Sequence, residues 1–205
     1  MAKRLGGGFV AAIGMMVGGA MVAGSAEGAF LQYAAVLSGP NESPPNASPG
    51  FGTVAVDIDT IANTMRVRSS FTALTGTTTA SHIHAATASP GTGTAGVATT
   101  TPTFAGFPLG VTAGTYDATF DMTLASSFNP AYVAANGGNV LSAEAALFSS
   151  IAAGTSYFNI HTTTFGGGEI RGFLVPIPEP ASLALIGLGG TGLLAVAARR
   201  KARPA

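Results

Sequence analysis

Thr115-Tyr116-Asp117-Ala118-Thr119-Phe120-Asp121-Met122-Thr123-Leu124 sets Tyr116, Ala118, Phe120, Met122 and Leu124 against Asp117, Thr119, Asp121 and Thr123. Alternation of this kind puts every apolar side chain on one face of an extended chain and every polar one on the other, the pattern of a half-buried β-strand. The same residues on a helix would be scattered around its circumference.

The pattern repeats on both sides of this stretch. Phe51 to Asp59 places Val54, Val56 and Ile58 on one face, and Met65 to Phe71 opposes Met65 and Val67 to Arg66 and Arg68, which are expected in solvent. Ala29 to Leu37, Thr79 to Thr87 and Thr94 to Thr100 are further candidate strands, separated by Ser38-Gly39-Pro40 and Ser89-Pro90-Gly91. Tyr157 to His161 and Glu169 to Val175 read as a closing hairpin across Thr162 to Gly168, whose Gly166-Gly167-Gly168 suits a flexible turn. Two short helices interrupt the strands. Asn129-Pro130 starts one as cap and first-turn proline, with Gly137-Gly138 as its stop. Ser142 is the expected cap of a second over Ala143 to Ala153, with Ala143, Leu147 and Ile151 as its apolar stripe. Short strands, turn signals and few helices imply an all-β fold, an antiparallel β-sandwich.

Both ends read as addresses. Lys3-Arg4 precede an uncharged run from Leu5 to Ala23, and Gly24-Ser25-Ala26 offers small residues to signal peptidase. Residues 1–26 are therefore expected to be a signal peptide. At the other end Pro178-Glu179-Pro180 precedes an uncharged run, 181–198, and then Arg199-Arg200-Lys201-Ala202-Arg203. As a helix that run spans about 27 Å, close to one hydrocarbon core, and the basic tail would stay cytoplasmic. This order resembles the bacterial PEP-CTERM sorting signal. The resemblance implies transient membrane insertion, processing by an exosortase near Pro-Glu-Pro, and delivery to the cell surface or medium of a Gram-negative bacterium.

Without its ends the chain changes electrostatic character. The whole sequence is neutral, but six basic residues lie in the ends, so residues 27–177 keep three basic and eight acidic side chains, a net of −5. Such a surface gives nucleic acid no footprint. Cysteine is absent, which excludes disulfides, thiol catalysis and thiolate-bound zinc. No serine-nucleophile elbow or phosphate loop is present. Asp57 and Asp59 share a strand face, for which a solvated edge is a simpler account than Ca²⁺.

The three histidines fall in Ser81-His82-Ile83-His84 and Tyr157-Phe158-Asn159-Ile160-His161-Thr162. Positions two apart share a strand face, so His82 pairs with His84, and Tyr157 with Asn159 and His161. If the sheet joins the two motifs, three imidazoles form a site for copper or zinc. The alternative is a structural polar network through Asn159, Thr162, Glu169 and Arg171, and the sequence favours it.

These motifs also carry a resemblance. Val36-Leu37-Ser38-Gly39, Glu42-Ser43-Pro44-Pro45, Ala80 to His84, Tyr157 to Thr162 and Gly168-Glu169-Ile170-Arg171-Gly172 together resemble a CHRD domain over residues 27–175. The chain departs from that family at Ala85-Ala86-Thr87, where Gly-Pro is common. The resemblance implies an extracellular sandwich, immunoglobulin-like or superoxide-dismutase-like, with no established catalysis. The expectation is therefore a non-enzymatic exported module with no required cofactor. Its terminal hydrophobic helices serve sorting within 1–26 and 176–205, and extracellular polysaccharide or matrix proteins are its expected partners. The His-x-His strand also resembles copper/zinc superoxide dismutase, but that family uses more histidines and a disulfide that this chain cannot form.

Overall fold

Eight strands carry the chain between residues 30 and 177, the span that the computed structural model describes. The signal peptide, Pro178-Glu179-Pro180 and the 181–198 run lie outside the described residues. The strands are β1 (Phe30–Ser38), β2 (Phe51–Asp59), β3 (Thr64–Thr72), β4 (Thr78–His84), β5 (Gly114–Asp121), β6 (Tyr157–Thr162), β7 (Ile170–Phe173) and β8 (Val175–Pro176). Two helices, α1 (Pro130–Ala135) and α2 (Val140–Ala152), fall between β5 and β6.

The all-β antiparallel expectation holds. The strands form one hydrogen-bonded path, β4-β6-β7-β1-β2-β3-β5, with β8 added to β1, where a sandwich has two separate sheets. Register aligns the apolar faces: Tyr33 lies opposite Val56, Val56 opposite Val67, and Val67 opposite Ala118, which makes one inward row across four strands. The sheet curls because its two ends share a core. Phe104, fully buried, packs its ring against Tyr116 of β5 and Phe158 of β6, each with centroids 6.1 Å away. The long connection from β4 to β5 thus fills the gap that hydrogen bonds leave open.

Outward-facing residues are better paired than the sequence suggests. Arg66 donates twice to Asp117, at 2.8 and 2.6 Å, and Arg68 donates to Asp57 at 2.6 Å. The Arg66–Asp117 pair is about half exposed on both sides, so it adds little stability. Asp57 also accepts from Gln32, and Asp59 caps the next turn through the backbone N–H groups of Ile61 and Ala62, so neither carboxylate is a simple solvated edge.

Several boundaries differ from expectation, most of them for a local reason. β5 stops at Asp121 because its carboxylate accepts from the N–H and hydroxyl of Thr123 and turns the chain, leaving Leu124 exposed. β4 ends at His84 rather than Thr87. Thr94 to Thr100 makes only isolated bridges, because the Thr99 hydroxyl, in place of a ladder carbonyl, accepts from the N–H of Ile83. Asn139, not Ser142, caps α2, accepting from the N–H of Ser142 at 2.9 Å. The apolar stripe of α2 stands as expected: Ala143, Leu147 and Ile151 are fully buried.

That stripe predicts a contrast within one helix. Leu147→Ala should cost about 2–5 kcal/mol of unfolding free energy, as buried leucine truncations do. Leu141→Ala, at a side chain 75% exposed, should stay within about 0.5 kcal/mol. Denaturant unfolding of both variants checks the pair, and equal losses would contradict this packing.

Candidate functional site

Side chains alternate across β4, β6 and β7, so the sheet has a core face and an outer face there. Ile83, Phe158, Ile160 and Ile170 are fully buried on the core face. The outer face carries His82 and His84 of β4, Tyr157, Asn159 and His161 of β6, and Arg171 and Phe173 of β7, with His82 opposite Asn159 and His84 opposite Tyr157. Loops cover this face.

The structure brings the three histidines together. Ring centroids are 5.3 Å apart for His82 and His161, and 5.8 Å for each of the other two pairs. Each ring offers one nitrogen to a set whose members all lie within 4.8 Å of one another. Simple geometry then gives a point no more than about 2.8 Å from all three, and an inward shift below an ångström reaches the 2.0–2.1 Å of a zinc–imidazole bond.

The hydrogen bonds fix which nitrogens are free. His82 Nε2 donates to the carbonyl of Pro102 at 2.6 Å, His84 Nδ1 to that of Ala95 at 2.9 Å, and His161 Nδ1 to that of Gly166 at 3.0 Å. A carbonyl only accepts, so each neutral ring holds its proton there and leaves a lone pair on the other nitrogen. Those nitrogens, His82 Nδ1, His84 Nε2 and His161 Nε2, are buried and have no hydrogen-bond partner. None of the three rings bonds Asn159, Thr162 or Glu169 as a structural network would require.

Electrostatics keeps the rings neutral. Burial is the main cause in each case and lowers all three pKa values, although the carbonyl bonds oppose it. His84 falls to about 4, with His161, His82 and Arg171 adding repulsion.

The polar residues around the histidines divide into two groups. Glu169 is fully buried and accepts from Ser48 Oγ, the backbone N–H groups of Thr75 and Gly76, and Thr162 Oγ1. Burial pushes its carboxyl up, but these four bonds together outweigh burial and hold it below the ordinary value. Gly76 must be glycine for this contact, since a Cβ there would lie 2.6 Å from Thr164 N and 2.8 Å from Thr162 Oγ1. Arg171 takes a separate place. Its guanidinium donates to the carbonyls of Asn41 at 2.5 Å and Gly93 at 3.1 Å and lies 3.8 Å from Glu42.

Asn159 and Glu42 meet at Gly168, where a Cβ would lie 2.5 Å from Asn159 Nδ2 and 2.7 Å from Glu42 Oε1. Asn159 Oδ1 and Glu42 Oε1 are also buried without partners. Of the eight such atoms among the described residues, five therefore belong to this face and its loops, which marks it as the candidate site. Sequence reasoning did not single out Glu42 or Tyr157 as site residues, although both stand in motifs it quoted. The carbonyls of Ala95, Pro102 and Gly166 leave no side-chain signal to read.

Two known families match parts of this chain. The PEP-CTERM protein-sorting motif matches residues 176–201, so the protein is exported and sorted to the cell surface or beyond by an exosortase. None of the curated proteins and none of the solved structures matches the chain. The CHRD domain matches residues 33–174, from the first strand through the last residue of the curled sheet's core, and the chain belongs to the CHRD domain family.

Proposed function

We propose that this exosortase-sorted CHRD protein binds one transition-metal ion, copper or zinc, through His82, His84 and His161. One observation carries the reading: each of the three clustered imidazoles directs its single N–H to a backbone carbonyl and leaves its other nitrogen, an acceptor, buried with no donor. A structural network would pair donors with acceptors. A single water has two hydrogens and leaves one nitrogen unmatched, whereas a metal ion accepts all three lone pairs. Each unmatched buried acceptor costs about 1–3 kcal/mol, so the arrangement is costly to maintain without an ion.

The carbonyl bonds supply the other half of a metal site. They fix tautomer and ring orientation in advance, the role that outer hydrogen bonds play around metal-bound histidines. The depressed pKa values favour the same use, because a ligand ring must be unprotonated. The metal would sit on the outer face of the sheet, so binding does not disturb the core. No catalytic step is part of this proposal.

Two measurements test it. The full chain, purified in detergent, should take up one equivalent of copper or zinc. At a free metal concentration 100 times Kd, its Tm should rise by about 5–10 °C. His82→Ala, His84→Ala and His161→Ala should each abolish that rise. A stable wild-type protein that takes up no metal would refute the reading.

The second concerns pH. Folding lowers these imidazole pKa values from about 6.5, to about 4 for His84, so the unfolded chain binds more protons between those limits. The contribution to stability is complete above pH ~6.5 and is lost as pH falls toward about 4. Metal should dissociate over the same window. Calorimetry of the metal-free protein at a series of pH values checks this, and stability that rises on acidification through the window would contradict it.

A further inference from the structure

The groups behind His84 narrow the choice of ion, an inference that rests on the metal reading above. The ring of Tyr157 stacks on His84 with centroids 4.7 Å apart and planes 5° from parallel. Arg171 Cζ lies 4.7 Å from the centre of the same tyrosine ring and 5.6 Å from that of Phe173. Because β6 lies between β4 and β7, His84 and Arg171 flank Tyr157 from opposite sides. The result is a buried guanidinium–phenol–imidazole stack that ends at the three-histidine cluster.

Every charge near this stack is accounted for. The guanidinium is a fixed cation, 4% exposed, held by two carbonyls. Its neighbouring anion is Glu42 at 3.8 Å, and burial, opposed by Arg171 and the backbone N–H of Ser43, pushes that carboxyl up to about 7. Near neutral pH Glu42 is therefore about half protonated and compensates Arg171 incompletely. Among the described residues no carboxylate joins the histidine set, and the chain has no cysteine. An ion bound there would keep its whole positive charge in a poorly solvated place, facing a cation about 10 Å away across two stacked layers.

We infer that the site selects monovalent copper, Cu(I), over Cu(II) and Zn(II), and that Arg171 acting through Tyr157 sets this preference. Three neutral imidazoles satisfy Cu(I) without an anionic ligand. Zn(II) prefers four tetrahedral ligands and Cu(II) a tetragonal set, and both carry one more charge toward the guanidinium. At ~10 Å and an effective dielectric constant of ~20, that extra charge disfavours the divalent ion by roughly tenfold.

Competition experiments on the full chain in detergent test this at pH 7. Cu(I) is measured against bicinchoninate under ascorbate, Zn(II) and Cu(II) against chromophoric chelators, and the copper midpoint potential by redox titration. Cu(I) should be held most tightly. Arg171→Gln should shift the Cu(I)-to-Cu(II) affinity ratio about tenfold toward Cu(II), a fall of about 59 mV in potential. Glu42→Gln, which removes the opposing charge, should move the ratio the other way, and it provides the test if Arg171→Gln does not fold. Tighter binding of Zn(II) or Cu(II) than Cu(I), or a ratio unmoved in every folded variant, would overturn the inference and leave the three-histidine site standing. Failure to bind any of the three ions would overturn that site itself.

Discussion

A carboxylate with no solvent contact has to find its donors within the protein, and Glu169 finds four. They come from Ser48 in the loop after β1, Thr75 and Gly76 between β3 and β4, and Thr162 at the end of β6. Asn46 adds a bond to the backbone carbonyl of Glu169 at 3.1 Å. Leaving any one of these donors unmatched in the interior would cost more than the bond contributes, so the four segments are held in one relative position. Both ends of the hairpin 162–169 are fixed by the bond between Thr162 and Glu169. His161 precedes one end and Arg171 follows the other, so the same constraint positions a candidate ligand and the cation behind it.

The two-residue period of a strand separates stability from chemistry. On β4, β6 and β7 the inward positions are Ile83, Phe158, Ile160 and Ile170, all without solvent contact, and they share one core with Leu147 and Ile151 of α2 and with the plug formed by Phe104. The outward positions are free of that duty. They carry imidazoles, a phenol and a guanidinium, and the loops that cover them contribute backbone carbonyls rather than side chains. A metal ion on that face would be gripped by two strands that the core already holds rigid, and so would need little rearrangement on binding.

The fold was largely legible because its strands are half buried. The alternation around Tyr116 and Phe120, and that of Val54, Val56 and Ile58, follows directly from register, and the glycine and proline punctuation located most turns. What escaped were features in which a side chain substitutes for backbone: the Thr99 hydroxyl in place of a ladder partner, Asp121 ending β5, and Asn139 capping α2 ahead of Ser142. Sheet closure was hidden as well, since it depends on Phe104 reaching two strands far apart in sequence. The convergence of His82, His84 and His161 was readable as a possibility from the shared strand face. Their hydrogen-bond partners were not, because a carbonyl is present at every residue and no sequence pattern marks which one a ring will meet. Those unseen carbonyls weigh toward metal and away from the polar network that the sequence favours.

X-ray absorption at the copper edge of the copper-loaded full chain tests the central claim most directly. Three-imidazole binding predicts nitrogen scatterers at about 2.0 Å together with the outer-shell scattering of imidazole rings, fitted best by three histidines per copper. A first shell dominated by oxygen, or a signal that survives unchanged in His161→Ala, would contradict it.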